Sequence, residues 1–229
     1  MQPIRFLTTQ LSSDSLRKLS ESLSLKLGYK VWRSPTLAKG YRHLRYGDGK
    51  DKLYQYKWFD AYKVPSLPFT TDASIVQQWL EEGKTVFART LLNASEGKGI
   101  VVLTNALTIV PSQVYTQYLP HKKEFRVHVF GGQVVAVLEK RKKIGGFTGQ
   151  YKIRNSANGY VFCRNDVVEP EGIRELALAA SKMTNSHFAG VDIGYNEKDN
   201  HLFVIEVNSA PGMENSTVED YAQVICASL

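Results

Sequence analysis

Leucines recur at helical spacing near the start of the chain. Four of them would share one face of a helix, behind a serine-rich cap that begins at Ser12. Gly28 stands where a C-cap glycine is expected. The leucines are Leu16, Leu19, Leu23 and Leu27. This segment therefore predicts an amphipathic helix that ends at Gly28.

Three kinds of local pattern fill the chain up to residue 83. Residues 51–62 predict a helix that ends before a Val-Pro pair, and residues 72–82 predict a second one, capped by Asp72. Residues 29–33 predict a short strand. The glycine-rich, basic stretch 39–52 predicts a loop or linker.

From residue 84 the apolar residues alternate with polar ones or form short β-branched runs. Strands are predicted at 85–90, 99–103, 114–119, 125–130, 134–139, 188–195 and 201–207. Gly131 and Gly132 indicate a tight hairpin. Helices are predicted at 171–183 and from about Thr217 to the end. The pattern predicts an α+β fold with a short leading segment and a mostly antiparallel body.

Composition narrows the class of protein. Apolar residues make up 43% of the 229 residues, which is a globular balance, and the net charge is +7. This charge favours an acidic partner, whether a nucleotide, nucleic acid, acidic peptide or anionic surface, although a plain basic surface explains it equally well. Cys163 and Cys226 are too few for a disulfide framework or a zinc site. No signal peptide or membrane-length apolar run is present, so we expect a cytoplasmic protein with no membrane partner.

Two carboxylates and a carboxamide converge on the last predicted hairpin. Pairing strand 188–195 with strand 201–207 brings Asp192 opposite Glu206, or one residue from it. Glu206 and Asn208 are two residues apart and point to the same face. Like charges this close need a cation, and hard oxygen ligands suit Mg²⁺. The alternative is a pair of solvated carboxylates on an exposed strand, but Asn208 opens a loop, 209–213, of a composition typical of a site.

The residues of this hairpin resemble a known family. The segments 189–193 (Ala-Gly-Val-Asp-Ile) and 204–212 (Val-Ile-Glu-Val-Asn-Ser-Ala-Pro-Gly) are similar to the C-terminal signature of ATP-grasp enzymes, in particular the RimK-type carboxylate–amine ligases. The resemblance implies that two α+β lobes clasp ATP, with a reduced N-terminal segment at 1–48, a small lobe at 49–119 and a C-terminal lobe at 120–229. It also implies that Asp192, Glu206 and Asn208 hold Mg²⁺, with two ions expected and Mn²⁺ as a substitute.

The same resemblance implies a set of ATP contacts in chain order. Gly97, Lys98 and Gly99 take the place of the flexible glycine loop over the phosphates, and Lys52 that of the first ATP-binding lysine. Arg89 stands where the family has a second lysine, and it packs and reaches differently from a lysine. The remaining contacts implied are the adenine hinge at Gln117, Tyr118 and Leu119, and the ribose contact at Glu124.

Three residues are implied to take part in catalysis. Arg154 and Asn155 are expected near the γ-phosphate, where a guanidinium stabilises the transferring group. Arg126 shares a strand face with Glu124 and is either catalytic or ion-paired with a metal-ligand carboxylate. The basic run 140–143 and the glycine-rich run 145–149 together predict a mobile basic loop.

The resemblance implies an ATP- and Mg²⁺-dependent ligase that joins a carboxylate to an amine through an acyl phosphate. An amino acid or peptide is the default substrate. Two alternatives stay open: a kinase-like phosphotransferase of the same fold, and a non-catalytic module that binds nucleic acid or peptide through its basic charge. No Ser-His-Asp or Cys-His arrangement suggests a protein nucleophile.

Overall fold

A computed structural model describes residues 2–93, 97–145 and 151–229 of the chain. Its helices are α1 (Asp14–Leu27), α2 (Lys52–Ala61), α3 (Ala73–Glu81), α4 (Ile173–Ser181) and α5 (Asn215–Ala227). Its strands are β1 (Ile4–Leu7), β2 (Trp32–Ser34), β3 (Arg42–Arg45), β4 (Phe69–Thr70), β5 (Val86–Arg89), β6 (Ile100–Leu103), β7 (Val114–Gln117), β8 (Lys123–Phe130), β9 (Gln133–Lys142), β10 (Tyr160–Cys163), β11 (Phe188–Asn196) and β12 (His201–Asn208). None of the helices in these ranges has the length and hydropathy needed to span a bilayer.

A three-stranded parallel sheet, in the order β2-β1-β3, forms the N-terminal part of the fold. The predicted first helix is present as α1, where the Ser13 side chain accepts a hydrogen bond from Leu16 and Gly28 caps the end with a φ of 71°. The buried leucines of α1 pack with β1 and with α5 at the other end of the chain. This shared core joins the first 47 residues to the C-terminal part of the protein.

Two antiparallel sheets make up the remainder. The four-stranded sheet β4-β7-β5-β6 packs against α3. The five-stranded sheet β10-β9-β8-β11-β12 packs against α4, and its core also receives Tyr56 and Phe59 from α2. The order leaves β12, which carries Glu206 and Asn208, at one edge of the larger sheet.

Several sequence-based predictions are corrected by the structure. The stretch 39–52 is not all linker, because β3 lies within it and pairs with β1. Lys140, Arg141 and Lys142 are not in a loop but belong to β9, which pairs with the unpredicted strand β10. Residues 146–149 of the predicted mobile loop lie outside the described residues. Charged strands such as β3 and the end of β9 carry little hydrophobic periodicity, so only their pairing reveals them.

Candidate active site

The hairpin of β11 and β12 brings the three predicted metal ligands together. Asp192 lies directly opposite Glu206, and Gly190 lies opposite Asn208, so the predicted pairing is confirmed. The register shifts between Asp192 and Ile193, which leaves Ile205 as an extra residue in β12. The Asn208 side-chain amide donates to Glu206 Oε1 at 3.0 Å, which places both side chains on one face.

Arg126 holds the carboxylate of Asp192 in a two-point ion pair. Its Nε and Nη2 atoms donate to Oδ1 and Oδ2 at 2.7 and 2.8 Å, because β8 places Arg126 opposite Asp192 in register. Both side chains are largely buried. Burial opposes the charged form of Arg126, but the attraction of Asp192 outweighs it and raises the arginine pKa. Of the two roles expected for Arg126, the structural ion pair is therefore present.

Lys52 plays the same part for Glu206. Its Nζ donates to Glu206 Oε2 at 2.5 Å, and only 8% of the lysine side chain is exposed. Burial raises the pKa of Glu206, but Lys52 and the amide of Asn208 more than offset this and hold it well below its ordinary value. Glu206 is therefore a carboxylate throughout the neutral range.

A third ion-paired carboxylate, Glu124, lies close to the Arg126–Asp192 pair. Lys140 donates to Glu124 and also lies 3.8 Å from Asp192, so it links the two acidic groups. Burial raises the pKa of Glu124, but Lys140 and His121 lower it by more than burial raises it. The net effect is a pKa well below the ordinary value. Glu124, Asp192 and Glu206 are therefore each paired with a cation from a neighbouring element.

Backbone groups at the outer edge of β12 form hydrogen bonds with the segment 55–65. Tyr56 donates its hydroxyl to the Ile205 carbonyl at 3.0 Å, and Gln55 Oε1 accepts from the Val207 amide at 2.9 Å. The Val204 amide donates to the Pro65 carbonyl at 2.8 Å. Backbone groups on both sides of Glu206 are therefore fixed by α2 and the turn after it.

A cleft of about 540 Å³ opens beside these ion-paired carboxylates. Its volume lies within the range of small-molecule sites, roughly 300–1,000 Å³. The predicted residues that line it are Arg89, Gly97, Tyr118, Leu119, Glu124, Arg126, Arg154, Asn155, Asp192, Glu206 and Asn208. Lys52 instead lines a smaller adjoining cavity of about 350 Å³, which also touches Asn208. Lys98, Gly99 and Gln117 line neither of these two cavities.

The glycine loop requires glycine at both predicted positions. Gly97 and Gly99 have φ angles of 75° and 72°, in the left-handed region that favours glycine. A Cβ at Gly97 would meet Ile153 at 2.7 Å and Asn155 at 3.1 Å. The loop therefore lies against Ile153 and Asn155, and Asn155 is one of the two residues that the resemblance places near the γ-phosphate.

The hinge predicted to bind adenine follows β7. The Tyr118 amide donates to the Thr85 carbonyl, and the Leu119 carbonyl accepts from His121 at 2.7 Å. Lys152 donates to the Thr85 hydroxyl and lies 5.4 Å from the centre of the Tyr118 ring. Lys152, His121 and Lys140 all line the cleft, although sequence reasoning did not select them. Lys140 was missed because the basic run 140–142 has little hydrophobic periodicity, and its pairing in β9, on the face of Leu138, is what brings it to the cleft.

Arg154 lies at the hinge end of the cleft in this structure. Its Nη1 and Nη2 atoms donate to the carbonyls of Lys122 and His121, and its Nε is 3.9 Å from Glu124. These contacts bring it to the expected ribose residue and not to the carboxylates of the hairpin. A role near the γ-phosphate stays a prediction.

Arg89 is 5% exposed and reaches the cleft from the four-stranded sheet. Its guanidinium lies 5.6 Å from the centre of the Tyr56 ring. Among the described residues, its buried Nε has no hydrogen-bond partner. Because Arg89 is a buried cation that lines the cleft, it is suited to bind an anionic group of a ligand.

The donor set of the hairpin fits Mg²⁺. Asp192, Glu206 and Asn208 offer hard oxygen atoms, and Mg²⁺ completes its shell with waters and substrate phosphates. The described residues hold no group of three His, Cys, Asp or Glu side chains that would suggest another kind of metal centre. Arg126, Lys52 and Lys140 form ion pairs with these carboxylates.

Solved structures of ATP-grasp ligases share this fold. Among solved structures, the ATP-grasp ligase PsnB complexed with a minimal precursor has a TM-score of 0.65, with 12% identity and 100% and 99% of the two chains covered. D-alanyl-alanine synthetase A from Vibrio cholerae O1 biovar eltor str. N16961 has a TM-score of 0.64, with 15% identity and coverage of 100% and 98%. At these identities the likeness shows the fold, and the predicted α+β ATP-grasp fold is confirmed.

A family model for the RimK-like ATP-grasp domain matches residues 83–226. The match spans more than half of the chain, and the protein belongs to this family. A probable alpha-L-glutamate ligase of Parasynechococcus marenigrum (strain WH8102) is 29% identical over 136 residues, which cover 54% of this chain and 27% of the relative. One from Pectobacterium carotovorum subsp. carotovorum (strain PC1) is 34% identical over 92 residues, covering 40% and 27%. The match thus spans about a quarter of the length of these curated relatives.

Proposed function

We propose that the protein is an ATP- and Mg²⁺-dependent ligase that joins a carboxylate to an amine. The observation that carries the proposal is the Asp192, Glu206 and Asn208 set at one wall of a nucleotide-sized cleft that Arg89 enters from the facing sheet. Membership of the RimK-like family and the naming of two relatives as probable alpha-L-glutamate ligases support an amino-acid or peptide substrate.

The proposed reaction has two steps. A substrate carboxylate oxygen attacks the γ-phosphorus of ATP, the bond to the β–γ bridging oxygen breaks, and ADP leaves. The resulting acyl phosphate is attacked at its carbonyl carbon by an amine, which loses a proton as phosphate departs and the amide forms. This route uses no protein nucleophile.

The residues of the cleft have distinct proposed roles. Gln117, Tyr118 and Leu119 would hold the adenine edge, Glu124 the ribose, and Arg89, Lys52 and the 97–99 loop the phosphates. Asp192, Glu206 and Asn208 would hold Mg²⁺, which neutralises phosphate charge when it is bound. Arg126, after release from Asp192, or Arg154, after a shift from the hinge, would supply a guanidinium for the transferring phosphoryl group.

The first test is binding of ATP with and without Mg²⁺, measured by calorimetry. We expect the wild-type protein to bind ATP more tightly with Mg²⁺ and Glu206→Gln to lose that increment. Glu197→Gln is the matched control, because the exposed Glu197 lies in the turn of the same hairpin and forms an ion pair with the half-buried Lys123, away from Glu206. Failure of the wild-type protein to bind ATP, or an equal Mg²⁺ increment in all three proteins, would contradict the proposal.

Hydroxylamine then separates a ligase from a kinase-like phosphotransferase. In the presence of ATP and a carboxylate substrate, a ligase gives a hydroxamate together with ADP, since hydroxylamine intercepts the acyl phosphate. Transfer to a hydroxyl gives a stable phosphate ester and no hydroxamate.

A further inference from the structure

The three-stranded N-terminal sheet has one covered face and one open face. Ile4, Phe6 and Leu44 point into the core that α1 and α5 share. Successive side chains of a strand alternate between faces, so Arg5 and its register partners Trp32 and His43 belong to the opposite face. Parallel sheets are ordinarily covered on both sides. Here Trp32 is exposed and Arg5 and His43 are only half-buried, so the second side is at least partly open.

We define the basic face as Arg5, Lys30, Trp32, Lys39, Tyr41, His43 and Arg45. The loop before β3 lies along one side of it, where the Ala38 amide donates to His43 Nε2 at 3.1 Å. Trp32 remains 47% exposed. Aromatic side chains and arginine are enriched where proteins contact one another, and this face holds both.

The segment that forms most of the basic face carries only positive charges. Between Glu21 and Asp48 the chain has six lysine and arginine residues and no aspartate or glutamate. Among the described residues, only Lys26 of these six forms an ion pair, with Glu219. Arg33 and Arg42 donate to backbone carbonyls, at 3.0 and 2.8 Å. No described carboxylate lies within salt-bridge distance of any cation of the basic face, and the buried Nε of Arg5 has no partner among the described residues.

The aromatic rings already carry cations. Lys30 Nζ lies 3.8 Å from the centre of the Trp32 ring, and the Arg5 guanidinium lies 5.5 Å from that of Tyr41. A nucleobase would have to displace these cations to stack on the same ring faces. A carboxylate can bind the same cations without displacing them, since a cation on a ring keeps its outward hydrogen-bond donors.

We propose that the basic face binds an acidic polypeptide segment. Carboxylate side chains of the segment would pair with Arg5, Lys30 and Lys39, and its apolar groups would contact Trp32. This surface is separate from the ATP cleft and goes beyond the proposed ligase function, because it selects a partner by acidic sequence.

The test is fluorescence anisotropy of a labelled synthetic peptide of alternating glutamate and alanine, with Trp32 emission as a second readout. Arg5→Gln combined with Lys30→Gln should weaken binding about tenfold, because each exposed ion pair contributes up to about fivefold. The matched control combines Arg17→Gln and Lys18→Gln, two exposed α1 cations that pair with Asp14 outside the basic face. Mg²⁺-ATP affinity should stay unchanged in both double variants.

Three outcomes would overturn the proposal. One is no binding by the folded wild-type protein at low salt, and another is an equal loss in the control variant, which would indicate general charge attraction. The third is tighter binding of a single-stranded oligonucleotide that displaces the peptide. If the double variant does not fold, as judged by circular dichroism, Lys30→Gln alone should weaken binding severalfold, because the Lys30 ammonium lies at the surface on an exposed ring.

Discussion

At the scale of single residues, Gly190 determines how closely the loop after Asn208 approaches the sheet. A Cβ at Gly190 would lie 2.9 Å from Pro211 Cβ and 3.5 Å from Arg126 Cδ. Proline is rigid and Arg126 is held by Asp192, so neither neighbour can move freely. The glycine of the Ala-Gly-Val-Asp segment is thus required by packing.

Gly190→Ala is expected to lower the free energy of unfolding by about 1–3 kcal/mol through overpacking. Gly212→Ala, in the same loop region, is the control, since a Cβ there meets no atom within 4 Å. Denaturant unfolding of both variants measures the difference. Equal stability of the two variants would show that the loop can shift without strain.

At the scale of elements, α2 fixes the edge strand that carries Glu206. Tyr56 and Gln55 bind backbone groups of Ile205 and Val207, and Lys52 binds the Glu206 side chain. The Tyr56 ring also lies under Arg89, so one helix touches both the carboxylate strand and the cation of the facing sheet. Bulges such as the one at Ile205 re-aim side chains near sites, and here the freed carbonyl is satisfied by a buried tyrosine.

Tyr56→Phe is expected to lower the free energy of unfolding by about 1 kcal/mol, because the partly buried Ile205 carbonyl loses its hydrogen-bond donor. We also expect a smaller Mg²⁺ increment in ATP binding, since Glu206 is less firmly held, whereas the ring under Arg89 is retained. Tyr54→Phe, at an exposed position two residues earlier on α2, should change neither quantity. Equal effects in the two variants would contradict a role for the Tyr56 hydroxyl.

At the scale of the whole molecule, a buried histidine joins the large sheet to the C-terminal helix. His128 on β8 is 1% exposed and its Nδ1 lies 3.2 Å from the Tyr221 hydroxyl on α5. Burial lowers the pKa of His128 to about 3, with the nearby Arg126 and Arg164 adding to the effect. Above about pH 6.5 this histidine is neutral in both the folded and the unfolded chain. Below that value only the unfolded chain gains the proton, until the pH falls to the folded pKa.

Stability should therefore decrease as the pH falls from about 6.5, by on the order of 1 kcal/mol per pH unit from this residue. His128→Gln should be less stable at pH 7 but should show a shallower decrease between pH 6 and pH 4 (about the span in which the two states differ). Tyr221→Phe keeps the buried histidine, so its decrease should match that of the wild-type protein. The measurement is the free energy of unfolding in urea at each pH.

Local patterns along the chain were sufficient to predict many of the helices, the strands and the metal-site hairpin. The leucine spacing and Gly28 predict α1, and the alternation in 201–208 places Glu206 and Asn208 on one face. These features depend on residues a few positions apart, where helix and strand periodicity act directly. The pairing of Asp192 with Glu206 was also predictable, because a short turn sets the register of a hairpin.

Only the tertiary structure decided the long-range arrangement. The parallel pairing of β1 with β3, the burial of Lys140 between Glu124 and Asp192, and the hinge contacts of Arg154 join segments far apart in sequence. A basic run such as 140–142 has no periodicity that separates a solvated loop from a strand whose charges are paired inside a cleft. Whether such a run forms a loop or a paired strand depends on which carboxylates other strands place beside it. The packing of the whole chain decides this.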